Sequence, residues 1–297
     1  MIQYDPKSWW SLIFKFHKSD TFRKLLPAML TVALFSAGVA YVDYEVFFDQ
    51  LRGTSLVHSL LGFVISLLLV FRTNTAYERW WEGRRLWGQL VNASRNLALK
   101  LDATLPPRHP ARRSLALTIA HYAETLSQHL RDEAPSGAGG TIPHAPNRLA
   151  AGLCHQLEAL RAGGRIIGER YLALIPDLNA LTDVCGACER IRKTPIPYSY
   201  SLFIKKFIFV YIVTMPFCFV HDFGYWTVLF STFVFYVLAS LELIAEEVEN
   251  PFGLDANDLP TEEIARVIGR DVGEILGFAR TEGGTPMPGA RGNERIT

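Results

Sequence analysis

Two cysteines three residues apart, Cys185 and Cys188, are the first residues whose spacing could do chemistry. A Cys-x-x-Cys pair is a redox couple where a strand feeds a helix, and half a zinc site where a second ligand pair completes it. Neither context surrounds this pair. Cys154-His155 could supply the missing ligands, but two buried thiols on a helix are the plainer reading. The acids Glu242, Glu246, Glu247, Glu249, Asp255 and Asp258 crowd around a glycine turn. Carboxylates at that density make either a cation site or a solvated face. Arg79-Trp80-Trp81-Glu82 sets aromatic rings beside charge, a combination suited to the membrane–water interface. A phosphate-binding glycine loop, a His-Glu-x-x-His helix and a Gly-x-Ser-x-Gly elbow are all missing, and the eight histidines are dispersed. The chain is not expected to be an enzyme.

These residues are carried by 297 residues that are 49% hydrophobic and 20% charged. That composition excludes a disordered chain or a collagen-like fibre, and four scattered cysteines exclude a disulfide scaffold. With 30 Lys+Arg against 29 Asp+Glu, nothing points to nucleic-acid binding. The apolar residues are concentrated in four stretches, at 25–42, 56–71, 207–220 and 223–241. A bilayer core takes about 20 helical residues, so each is a candidate span and the four read as two hairpins. Lys7, Lys15, Lys18, Arg23 and Lys24 precede the first span, whereas its following loop carries only Arg52 and the His221–Asp222 corner carries no Lys or Arg. The bias places both termini and the long middle region in the cytoplasm. A charged lead of 24 residues is too long for the n-region of a cleaved signal peptide.

No proline interrupts the chain between Phe71 and Pro106. A single helix over residues 54–101 would be about 70 Å long at 1.5 Å per residue, against about 30 Å of hydrocarbon. The second span is therefore expected to continue into a cytoplasmic domain. Further helices are expected at 110–131, 147–162 and 176–192, with a Gly/Pro-rich loop at 134–146. The expected order is a cytoplasmic segment (1–24), a first hairpin (25–71), a helical domain (72–201), a second hairpin (202–241), an acidic turn with a helix (242–280) and a disordered tail (281–297). The fold class is all-α. On the second span Phe63, Leu67 and Phe71 recur at i, i+4 and i+8 and share a face, while Gly62 and Ser66 suit close helix approach. In one chain that apolar face reads as lipid contact or packing; only a symmetric oligomer would turn it into rings.

Taken together, Phe71-Arg72, Arg79-Trp80-Trp81, Thr194-Pro195-Ile196-Pro197 and Asn250-Pro251-Phe252-Gly253 resemble the bestrophin family of ion channels, in its bacterial branch. The resemblance spans residues 1 to about 278. It implies a homopentamer in the bacterial inner membrane, with a pore on the five-fold axis. It also implies a hydrophobic neck at Phe63, Leu67 and Phe71 and a lower constriction at Ile196. The calcium clasp of eukaryotic members falls on Glu247, Asn250, Asp255 and Asp258. Here its run of acids is reduced to Asp255-Ala256-Asn257-Asp258 and a Gln position has become Glu247, so the turn is expected to act as structure, without a calcium response.

Eukaryotic members of that family are chloride channels, whereas bacterial members are associated with monovalent cations. The presumed outer loops carry Asp43, Glu45, Asp49 and Asp222 against Arg52, a formal −3 per subunit. Carboxylate rings at a pore mouth concentrate cations, so Na+/K+ preference is expected, with a chloride channel as the alternative. A secondary transporter would show repeats with broken helices, and a membrane redox protein a cofactor motif; neither is visible.

Overall fold

The computed structural model describes residues 20–46, 55–131, 144–255 and 257–277. Among these residues there are eight helices and no strand: α1 (Asp20–Glu45), α2 (Ser55–Thr104), α3 (Ala111–Arg131), α4 (Ala145–Ala162), α5 (Gly168–Lys193), α6 (Tyr198–Phe223), α7 (Trp226–Glu249) and α8 (Thr261–Ile275). The all-helical class is as expected. The chain divides into two compact units, residues 1–80 with 195–251, and residues 81–194 with 252–297. The long helix anticipated from the missing prolines is one element of 50 residues.

The first unit holds α1, the first half of α2, α6 and α7, and each of these four helices is long and apolar enough to cross a membrane. Helix α1 packs on α7 and α6, which pack on each other. Their core joins Ile65 and Leu69 of α2 to Ile204, Ile208, Tyr211 and Ile212 of α6 and Leu238 of α7. The outer faces stay apolar: Leu34, Leu60, Phe209, Leu229 and Phe233 are all exposed. Water would penalise so much apolar surface; lipid does not. Gly224 closes α6 with φ 51° and ψ −131°, a conformation only glycine adopts without strain, so α7 follows after a two-residue corner.

The second unit is built on amphipathic helices. Leu115, Ile119, Tyr122, Leu126 and Leu130 of α3 are buried, as are Ala265, Ile268 and Val272 of α8. Helix α3 packs on α8, α4 and α5, and α4 packs on α5. Several polar groups in this core are paired. Tyr122 donates to the Leu181 carbonyl at 2.7 Å, and the Ser127 and Thr261 hydroxyls lie 2.7 Å apart. Buried Arg112 donates to the carbonyls of Leu105 and Leu276 and to the Asp102 carboxylate.

Several boundaries differ from expectation, and two of them have a clear physical reason. Helix α5 begins at Gly168, eight residues before the proline taken as its start, so Pro176 lies inside it. The lost hydrogen bond falls on the Leu172 carbonyl, at an exposed residue where water can replace the partner. Helix α7 continues to Glu249, two turns beyond the expected exit at 241, because its last acids are neutralised by side chains of other helices. The expected disorder of 281–297 and most of the 1–24 and 134–146 segments lie outside the described residues.

A Cβ on Gly62 would stand 2.7 Å from the Tyr211 hydroxyl. That ring cannot easily yield, because it is buried and stacked on His58 with centroids 4.0 Å apart. Gly62→Ala is therefore expected to destabilise the first unit by about 1–3 kcal/mol, the usual cost of overpacking. Thermal unfolding of the detergent-solubilised protein measures this, and an unchanged Tm would show that α2 and α6 do not meet there.

Candidate functional site

The three aligned residues of α2 are uncovered within the chain: Phe63, Leu67 and Phe71 are 67%, 46% and 56% exposed. The opposite face carries Ile65, Leu69, Arg72 and Ala76, all buried. One stripe of the helix thus packs into its own subunit while the other, equally apolar, has no cover. Tyr200 of α6 reaches α2 at the Leu68 carbonyl, 3.4 Å away.

One residue past this face, Arg72 is buried with 1% of its side chain exposed. A guanidinium cannot shed its proton, so burial demands a carboxylate partner. Glu249, at the end of α7, supplies it: Arg72 Nη2 donates to Glu249 Oε2 at 2.7 Å. Glu242 Oε2 lies 3.6 Å from Arg72 Nε, near enough to contribute charge but too far to hydrogen bond. Glu249 Oε1 accepts the backbone N–H of Ile196 at 2.6 Å, and its carbonyl accepts Arg79 Nε at 3.1 Å. The last carbonyls of a helix have no intrahelical donor, so this arginine also satisfies the negative end of α7. Glu249 thereby joins the residue after Phe71, the Arg of the Arg-Trp-Trp element, and Ile196.

The other acids of α7 follow the same pattern. Glu246 pairs with Lys205 at 2.9 Å and Glu247 with Lys24 at 3.0 Å. These acids of α7 are not a cage of free carboxylates; they are where cations of α1, α2 and α6 meet α7. Of the expected clasp positions, Glu247 is thus engaged by lysine and Asn250 is the exposed C-cap of α7. Asp258 is buried and its Oδ2 accepts the Asp255 N–H at 2.6 Å, while its own N–H donates to the Asp255 carbonyl at 3.1 Å. Asp258 therefore closes a turn on exposed Asp255. Trp80 stacks on Tyr77 with centroids 6.0 Å apart, and Glu82 pairs with Arg190 at 2.8 Å.

The acids expected at the outer mouth do not all lie in loops. Asp43 is buried, 2% exposed, because α1 persists to Glu45 and turns this side chain into the unit instead of leaving it in a loop. Glu45 and Asp222 are exposed, with Asp222 on the last turn of α6; Asp49 and Arg52 lie outside the described residues.

Cys185 and Cys188 are free and buried, and burial pushes both thiols up to about 12. Cys154 is exposed, and neither it nor His155 joins a metal-ligand cluster among the described residues. The side chains that do converge are His129, His144 and Glu189, to which sequence reading attached nothing. Separated by 15 and 45 residues, they form no recognisable motif.

A family model described as "Bacterial/Fungal Bestrophin protein" matches residues 1–274. The chain belongs to the bestrophin family. Among its relatives, the voltage-dependent anion channel-forming protein YneE of Escherichia coli (strain K12) is 32% identical over 284 residues, covering 92% of this chain and 93% of that protein. The voltage-dependent anion channel-forming protein alr2987 of Nostoc sp. is 35% identical over 233 residues, covering 73% and 76%. A crystal structure of a bacterial bestrophin homologue from Klebsiella pneumoniae superposes with a TM-score of 0.77 at 30% identity, over 85% of this chain and 98% of that one. The bestrophin assignment rests on the whole fold and not on the motifs alone. Names of anion channel-forming proteins give the expected cation preference no support.

Two outcomes follow for this bestrophin. Glu249→Ala takes away the only carboxylate hydrogen bonded to Arg72 among the described residues and leaves Glu242 at 3.6 Å as its remaining countercharge, a loss of up to about 3–5 kcal/mol, and lowers Tm in detergent; wild-type stability would remove Glu249 from this role. The thiolate is the reacting species, and thiols at about 12 hold almost none below pH 10. Iodoacetamide at pH 8 should therefore modify Cys154 and spare Cys185 and Cys188, whose reaction rises only as pH approaches 12. Mass spectrometry of the alkylated peptides reads this directly.

Proposed function

We propose that the chain is an ion channel that assembles as a homopentamer and conducts small monovalent anions through a neck formed by Phe63, Leu67 and Phe71. The observation carrying this reading is the uncovered apolar stripe on α2, whose opposite face is already packed. Five copies of the stripe around an axis would give three apolar rings, about 6 Å apart by the rise of four residues. A narrow apolar ring offers no replacement for an ion's hydration shell and gates by dewetting. Such a neck controls opening more than it sorts ions by charge.

The anion preference is supported by the names of the relatives and by the burial of Asp43, which weakens the acidic mouth that favoured cations. Ile196, held by Glu249, forms the lower constriction in this reading. The membrane is the bacterial inner membrane, with both termini and the helical unit on the cytoplasmic side, as the placement of Lys and Arg favours. Asp255 and Asp258 serve the turn, and no calcium ion is needed for opening.

Planar-bilayer recordings of the purified oligomer test these assignments. In asymmetric KCl the reversal potential should follow the chloride gradient; one that follows potassium overturns the anion reading, and no current from a correctly sized oligomer overturns the channel. Leu67→Ala should raise conductance or open probability several-fold with little change in charge preference. Ile196→Ala should leave opening similar and alter which anions pass most readily. Wild-type currents from Leu67→Ala would return the Phe63–Phe71 face to lipid contact.

A further inference from the structure

In the second unit, the last turn of α3, the residue before α4 and the last two turns of α5 bring His129, His144 and Glu189 together. His129 Nε2 lies 2.6 Å and His144 Nε2 2.5 Å from the same oxygen, Glu189 Oε1. One ligand atom from each residue falls within 4.8 Å of the others, and all three residues are half-buried. The imidazole rings are 4.6 Å apart and tilted by 53°, so their ring nitrogens approach the carboxylate from different directions. We propose that His129, His144 and Glu189 bind a late first-row divalent cation, with Zn2+ the best match.

The donor set decides the class of ion. Two imidazole nitrogens and one carboxylate oxygen suit Zn2+, whereas Ca2+ and Mg2+ require oxygen ligands. Groups around the site orient its ligands. Lys193 Nζ is 3.7 Å from Glu189 Oε2, which leaves Oε1 toward the imidazoles. Arg192 donates to the His129 carbonyl at 2.6 Å, fixing the backbone that carries that ring. Burial would raise the Glu189 carboxyl, but the hydrogen bonds of His144 and His129 outweigh it and hold the group below the ordinary carboxylate range, so it is ionised at neutral pH. Cys185 Sγ, 3.8 Å from Glu189 Oε1, keeps its proton and serves as a donor beside the site.

His144 Nδ1 accepts the Asn147 N–H at 3.1 Å and so caps α4. In the neutral ring the proton then resides on Nε2 and points at Glu189, occupying the position an ion would take. Loading moves that proton to Nδ1, exchanging the cap for a metal bond. The ion would tie together the two ends of the connection between α3 and α4, residues 132–143, and so stabilise the helical unit.

Calorimetric titration of full-length, untagged, chelator-stripped protein with ZnCl2 tests the site. Wild type should bind one Zn2+ per chain, Glu189→Gln and His129→Asn should bind about tenfold or more weakly at unchanged oligomer size, and Ca2+ should give no heat. Zn2+ should raise the Tm of wild type but not of Glu189→Gln. Glu189→Gln keeps the side-chain shape, so it remains informative if His129→Asn fails to fold. A wild-type protein that binds no Zn2+, or a folded Glu189→Gln that binds it equally well, overturns the proposal. Ion currents play no part in the readout, so the outcome is independent of the channel assignment.

Discussion

A guanidinium on the buried face of a membrane helix must be neutralised where it stands, and for Arg72 that partner is Glu249. Most of the first unit's architecture around the candidate pore follows from this constraint. Arg72 is bonded to its neighbour Phe71 and fixed in rotation by the helix, so anchoring Arg72 also orients the Phe63–Leu67–Phe71 stripe away from the core. The same carboxylate holds the Ile196 amide, and the carbonyl of the same residue holds Arg79. One residue therefore relates the exposed α2 stripe, the Ile-Pro element and the end of α7. An apolar partner could not do this, because packing against hydrocarbon carries no directional preference, whereas Glu249 presents two oxygens in fixed directions.

The pairs formed by Lys24, Lys205 and their carboxylates play a lesser part. Their lysine side chains are about half exposed, and solvated pairs of this kind contribute about 0–1 kcal/mol each. Their effect is positional: they let α7 remain helical for two turns past its apolar stretch, which carries Glu249 to the place where Arg72 and Ile196 need it. Charge that a reading of composition would send to solvent is used here between helices.

The two units differ in how they solve burial. The first leaves large apolar side chains on its outer faces, as a membrane permits, and buries Arg72 with Glu242 inside. The second hides its apolar faces between amphipathic helices, pairing buried Tyr122, Ser127 and Arg112 with backbone or hydroxyl groups. The second unit also carries the buried cysteines, whose burial removes the reactivity that their spacing suggests.

The sequence by itself determined the helical class, the four apolar spans, the single long helix running on from the second span and the shared face of Phe63, Leu67 and Phe71. These are local properties: hydrophobic runs, absent prolines and a 3.6-residue period operate within a few turns. Even there a local cue misled at Pro176, which the helix accommodates where its lost bond is exposed to water. Tertiary structure alone decided which charges meet. Arg72 finds Glu249 across 177 residues and Lys24 finds Glu247 across 223. It also buried Asp43 and brought His129 and His144 onto Glu189. No pattern along the chain encodes such pairings, because they depend on which helix faces come together in space, and packing sets those faces only once all the helices are present.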